Sequence, residues 1–323
     1  MSFLMVAASH SPLLDFPARE SEAVVAVRAA LEASRVRIAA FDPELVVLFG
    51  VDHYGGQHMR CMPSFCVGVE ASAIADVGGA PGRLNVPRDL AIQAVGAIRR
   101  AGVDTAVSYA MEVDHGFSQA LKRLLGGVDR YPVLPIFVSC IQPPFSPFAR
   151  ARALGEAVGA FCKGLDGRRV LFVGSGGLAH NPAALFPPID QVQPEWRPYI
   201  LHGKAQSETP QQAWIDYEIA AHQMGAQMLA SDQVTPEMAG LNAAWDQAFL
   251  TAYCAGDFSV FDTWEPEDVM ATAGIGAVET QAWIAAGAAM QAAGGAPPRQ
   301  VFQRLAKEIG IGFGIAEAGP SGA

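Results

Sequence analysis

Short, almost wholly apolar runs recur through the first half of the chain, at residues 3–8, 44–51, 105–110, 133–138 and 169–174. Runs of this length, rich in Val, Ile, Leu and Phe, read as strands. A strand that is apolar on both of its alternating faces has to be covered on both sides. Between them lie longer stretches with helical spacing, over 20–40, 88–102 and 148–167, the last two closed by a glycine stop signal. This alternation predicts an α/β fold, with a central, largely buried β-sheet covered by helices on both faces. The last third reads as helix over 213–230, 243–255 and 266–293, a helical C-terminal part. The proline-rich stretch 181–212 breaks the rhythm and reads as a long excursion, a lid or an oligomer contact. No repeat, low-complexity tract or linker interrupts the chain, so residues 1–323 are expected to form one domain.

Composition narrows the partners. Apolar residues make up 51% of the chain, enough for a large packed core. The formal net charge is −10 and no run of Lys and Arg offsets it, which argues against nucleic acid. The N-terminal apolar run has no basic flank and meets Ser9 and His10 within a few residues, so it reads as a strand and not a signal peptide. The small-residue stretch 282–296 is too short and too rich in Ala and Gly to span a bilayer. A cytoplasmic protein without membrane partners is expected. The 5 cysteines include no CxxC pair and read as reduced, mostly buried thiols.

The histidines carry the chemical signal. Four of the seven follow predicted strands: His10 after 3–8, His53 in "GVDHY" after 44–51, His115 in "MEVDHGF" after 105–110, and His180 in "GSGGLAH" after 169–174. Ligands of open α/β sheets bind beyond the carboxyl ends of the strands. Parallel strands would therefore gather these four imidazoles along one edge, where they suit a metal, an acid–base pair or both. A single strand-end histidine is usually structural; four in matching positions favour a shared site. His58, His202 and His222 read as surface residues. The "GSGG" at 174–177 resembles a phosphate nest, but it lacks both GxGxxG spacing and a following Lys-Ser/Thr. Small residues there would instead let the backbone approach the site and let His180 project. Asp52 and Asp114 each precede a histidine, as a partner for a neighbouring imidazole or as a helix N-cap. An Fe(II) site commonly adds a carboxylate to two histidines. Glu279, in "GAVETQAW", is a candidate whose ordinary reading is an exposed helix residue.

Together, "SHSP", "VLFGVDHY", "VDHGF" and "GSGGLAH" resemble the class III extradiol ring-cleaving dioxygenases. The likeness runs from residue 1 to about 293 and weakens between 181 and 238. It implies that His10, His53 and Glu279 ligate Fe(II) and that His115 and His180 act as acid and base. It also implies that Asp114 assists His115 and that Pro182 shapes the loop after His180. The implied activity is O2-dependent meta cleavage of a catecholic small molecule carrying a propionate side chain, by a homo-oligomer. Another substituted catechol, an aminophenol and a metal-dependent hydrolysis are the alternatives.

Overall fold

The computed structural model describes residues 2–182 and 185–319. The strands are β1 (Ser2–Ala8), β2 (Leu45–Gly50), β3 (Phe65–Gly68), β4 (Ala71–Ala73), β5 (Gly82–Arg83), β6 (Ala106–Ser108), β7 (Met111–Val113), β8 (Val133–Val138), β9 (Arg169–Ser175), β10 (Arg299–Ala306) and β11 (Ile311–Ala318). The α-helices are α1 (Glu22–Phe41), α2 (Arg88–Arg100), α3 (His115–Ala120), α4 (Phe148–Lys163), α5 (Arg197–His202), α6 (Gln211–Leu229), α7 (Ala243–Cys254), α8 (Pro266–Ala273) and α9 (Thr280–Ala293). The main sheet has the order β10-β11-β1-β9-β2-β8-β3-β6, and a smaller one the order β5-β4-β7. Strands β1, β9, β2 and β8 are parallel.

The apolar runs are strands because each residue has a core to enter. On β2, Val47 and Phe49 face a core shared with α2, α4, α7 and α9, while Val46 and Leu48 face one shared with α1. Burying each such side chain contributes about 1.5–3 kcal/mol, and the alternation spreads that gain over both sheet faces. Helix α9 is buried along nearly its whole length, which accounts for the small apolar composition of 282–296. It lies so close to α4 that a Cβ on Gly155 would sit 2.2 Å from the Ala285 carbonyl oxygen. Among the described residues, no helix is long and apolar enough to cross a membrane. No cysteine of the chain forms a disulfide, and Cys66, Cys140 and Cys162 are buried.

The structure departs from the sequence reading in its elements, and the expected helix 266–293 is α8, a 3-10 turn and α9. The run 105–110 is not one strand: β6 ends at Ser108, whose hydroxyl accepts from the Ala110 N–H, and the chain re-enters the small sheet as β7. The C-terminal part is helical only through Ala293, after which β10 and β11 form a hairpin. Strand β11 adds antiparallel to β1 and occupies what would otherwise be an open sheet edge. The excursion 181–212 packs Phe186, Tyr199 and Ile200, together with Trp214 of α6, against Tyr54, the residue after His53.

Candidate active site

Three adjacent parallel strands end at one level. Ala8 of β1 is in register with Ser175 of β9, and Phe49 of β2 with Gly174 of β9. Their loops therefore leave side by side, carrying His10, His53 and His180. The first is pinned by Ser11, whose hydroxyl donates to the Ile309 carbonyl at 2.7 Å. The second turns tightly because the Asp52 carboxylate accepts from the N–H groups of Gly56 and Gln57, at 3.0 Å each. The third needs glycine: a Cβ on Gly176 would lie 2.7 Å from Glu279 Cβ. The Gly177 N–H donates to Glu279 Oε2 at 2.9 Å. The Trp283 indole N–H donates to the Gly176 carbonyl at 2.8 Å, which ties the start of α9 to the same loop. A further bond, Ala179 N–H to Asp246 Oδ1 at 2.8 Å, holds the residue before His180. His115 arrives differently. It follows β7 of the small sheet and opens α3, with Asp114 as the N-cap accepting from the Gly116 N–H at 2.8 Å.

The four rings converge. His53 and His115 stack with centroids 4.2 Å apart, and His10 stands edge-on to them at 5.5 and 5.6 Å. Every one of the four has its Nδ1 engaged. Ser175 donates its hydroxyl proton to the Gly116 carbonyl at 2.7 Å, so its oxygen accepts from His10 Nδ1–H at 3.0 Å. His180 Nδ1–H donates to the Leu178 carbonyl at 2.9 Å. His53 Nδ1 faces Asp114 at 3.4 Å, and His115 Nδ1 faces Asp76 Oδ2 at 2.5 Å. Nε2 is left for the site in each ring. Three of these nitrogens surround the Glu279 carboxylate: His53 at 3.5 Å, His180 at 3.7 Å and His10 at 3.9 Å.

Electrostatics prepare Glu279 and His10 as metal donors, while His53 must give up a proton to become one. Burial alone would raise Glu279, but charge on His180, His53 and His10 holds it down at about 2, so it is ionised at neutral pH. Burial, only partly offset by Glu279, lowers His10 to about 3 and keeps its imidazole neutral. Burial and the neighbouring His53 lower His115 to about 3. His53 goes the other way, because Asp114 and Glu279 outweigh its burial. Bare imidazole nitrogens and an ionised carboxylate are the forms that bind metal. Donors of one small metal ion sit about 3–3.5 Å apart, close to the spacing seen here. The donor set fits a divalent metal. Ligand atoms of His10, His53 and His115 also lie within 4.8 Å of one another, as do those of Asp76, Asp114 and His115.

The structure thus brings His10, His53, His115, His180 and Glu279 together. Glu279 is not an exposed helix residue: it is 1% exposed and ends a 3-10 turn, Ile275–Glu279, just ahead of α9. Asp114 caps α3, but its carboxylate serves His53, through both the backbone N–H and Nδ1, and not the ring of His115. The partner of His115 is Asp76, which the sequence reading did not single out. Its signal, a lone acid in "AIADVGGA" ahead of a glycine turn, is local and weak. His202 is exposed as expected. The surface reading fails for His58 and His222. His58 packs edge-on against Tyr199 at 5.2 Å, and His222 of α6 stands edge-on to His115 at 6.5 Å. Both are half-buried because the excursion and α6 fold over the His53 and His115 loops. Pro182 lies in the loop after His180, and Leu185 N–H bonds to its carbonyl at 2.8 Å.

Comparison with known proteins agrees with this geometry. The family profile described as the catalytic LigB subunit of aromatic ring-opening dioxygenase matches residues 4–313. A protein of Mycolicibacterium vanbaalenii named 2,3-dihydroxyphenylpropionate/2,3-dihydroxicinnamic acid 1,2-dioxygenase is 41% identical over 96% of this chain and 95% of its own length. Proteins of the same name from Azotobacter vinelandii and Escherichia coli O81 are 37% and 40% identical. They are covered over 99% and 96% of their lengths.

Proposed function

The chain belongs to the LigB family of aromatic ring-opening dioxygenases, and from that membership we propose that it cleaves 2,3-dihydroxyphenylpropionate with O2 at an Fe(II) centre. It is an extradiol catechol dioxygenase: both atoms of O2 enter the product, here 2-hydroxy-6-oxonona-2,4-dienedioate. The observation that carries the site assignment is the buried Glu279 carboxylate, faced by Nε2 of His10, His53 and His180 within 4 Å. The ligands in this reading are His10, His53 and Glu279. Ferrous iron held there would supply Lewis-acid and O2 chemistry to the catechol.

The remaining histidines move protons. His180, least buried of the four and pointing Nε2 at the site, takes a catechol hydroxyl proton onto that nitrogen. His115, whose Nδ1–H is held by Asp76, takes the second catechol hydroxyl proton onto its bare Nε2 and returns it as the ring opens. A positioned acid or base contributes about 10²–10⁴-fold each. The pairing of β1 with β11 supports a single domain over residues 1–323. Exposed Met224 and Met228 on α6 support a homo-oligomer, and reduced thiols support a cytoplasmic setting.

The test is optical. Anaerobic protein loaded with Fe(II) is mixed with aerated 2,3-dihydroxyphenylpropionate, and in parallel with catechol and 2-aminophenol. A yellow ring-opened product forming fastest with the propionate supports the proposal. Faster turnover of another substrate would keep the reaction and remove the substrate. Tightly held zinc with no O2 uptake would favour the hydrolase alternative.

A further inference from the structure

We propose that Asp76 is the positioning residue that fixes the ring of His115, by holding its Nδ1–H and its backbone N–H on a single carboxylate oxygen. This rests on His115 being the proton donor of the ring-opening reaction. Asp76 Oδ2 accepts from the His115 backbone N–H at 2.9 Å and meets Nδ1 of the same residue at 2.5 Å. The backbone group can only donate, so the oxygen it meets is an acceptor, and the ring nitrogen sharing that oxygen presents its proton. Rotation of the imidazole and movement of the proton to the other nitrogen are both opposed by one contact. Nε2 is thereby left facing His10 and His53.

The surroundings leave Asp76 little else to do. Its Oδ1 is buried with no hydrogen-bond partner among the described residues. Gly79 makes room for it, since a Cβ there would lie 1.9 Å from Oδ1. The turn carrying Asp76 is clamped to α3: the Ala80 N–H donates to Ser118 Oγ at 3.2 Å, and Gln119 donates to the Gly78 carbonyl at 3.4 Å. Turn and helix therefore hold their relative positions, and the carboxylate cannot follow a ring that swings away. A buried carboxylate with one bare oxygen is a poor choice for packing alone.

The contact makes an unusual prediction for the amide. The His115 backbone N–H should orient an asparagine with its carbonyl oxygen in the place of Oδ2 and its NH2 in the place of Oδ1. Asp76→Asn should then keep the ring fixed and remove only the side chain's capacity to ionise, whereas Asp76→Ala should free it. Two readouts on the full chain separate these cases. The first is the exchange-protected downfield imidazole N–H proton in the NMR spectrum of metal-free protein, assigned through its loss in His115→Gln. The second is kcat, KM and iron content after Fe(II) loading.

Asp76→Asn should retain the protected proton and lose about tenfold in kcat, while Asp76→Ala should lose the proton and about a hundredfold in kcat. KM and bound iron should stay within about twofold of wild type in both, because this contact acts on the donor and not on the ligands. Survival of the proton in Asp76→Ala, or a kcat there within about threefold of wild type, overturns the proposal. Should Asp76→Ala fail to fold, Asp76→Asn decides by itself: a retained proton with kcat within about tenfold of wild type supports the lock, and loss of the proton or a larger loss of kcat refutes it. A wild type that shows the Asp76-dependent proton but opens no catechol would strike the ring-opening assignment and leave the lock standing.

Discussion

Two loops of this protein carry the same tripeptide, Val-Asp-His, and use it differently. In residues 51–53 the aspartate turns its carboxylate onto Gly56 and Gln57 and shapes its own loop. In residues 113–115 the aspartate caps α3 and reaches across to His53. Neither holds the ring of the histidine beside it. His53 is oriented by the second loop, and His115 by Asp76 from a third. The lesson is geometric. Neighbours in an extended or turning chain point apart, so a carboxylate that orients an imidazole comes more readily from another segment. The consequence here is interdependence: the loop that carries His115 also orients His53 through Asp114, and a change in one loop is felt in the other.

The comparison can be broken by mutation. The largest effect is expected at Glu279, the one carboxylate facing three of the rings: Glu279→Ala should lose both Fe(II) and turnover. Metal analysis showing unchanged iron would remove it from the ligand set. His115→Gln should come next, with iron retained and ring cleavage reduced by about 10²–10⁴-fold. Complete loss of iron in that variant would make His115 a ligand, as its spacing to His10 and His53 also allows.

Asp114→Ala sharpens the crossed pairing. Acting through His53, it should weaken Fe(II) binding by about 10–100-fold, read by titration with a competing chelator. A defect in turnover with full iron affinity would instead place Asp114 with His115, as the sequence reading had it.

The smallest effect is expected at Asp246, which holds the His180 loop through a backbone N–H and no imidazole. Burial raises its carboxyl to about 7 from an ordinary 3.8. The folded state therefore keeps this proton between about pH 4 and pH 7 while the unfolded state has lost it, so its contribution to stability falls as pH rises through that window. Asp246→Asn should flatten that slope in urea melts taken across the window, with bound iron unchanged. A slope identical to wild type would show that Asp246 ionises normally.

Much of this molecule was legible in its residues. The apolar runs announced β1, β2, β8 and β9 because a strand buried on both faces has no polar positions to hide it. The placement of His10, His53 and His180 just past three of those runs then followed from where parallel strands end. Other features were not legible. Strand β11 escaped the reading because glycines at 312 and 314 dilute its β-branched signal, and β10 because Arg and Gln interrupt its apolar residues; β11 is fixed by pairing with β1, and β10 by pairing with β11. Glu279 carries no local mark of burial. The residues alone left it a weak candidate and the resemblance to a family made it the expected ligand, while the packing of Gly176 and Trp283 around it accounts for its position.

The sequence by itself determined the layered α/β architecture and the set of imidazoles at its edge, since periodicity and strand ends are properties of the chain read in order. The tertiary structure decided which carboxylate holds which ring. Those contacts join residues 61 and 39 positions apart, His53 to Asp114 and His115 to Asp76. The first exists only once the small sheet has been laid against the large one and the second only once β4 and β7 have paired, because a hydrogen bond is fixed by direction and distance in space and not by order along the chain.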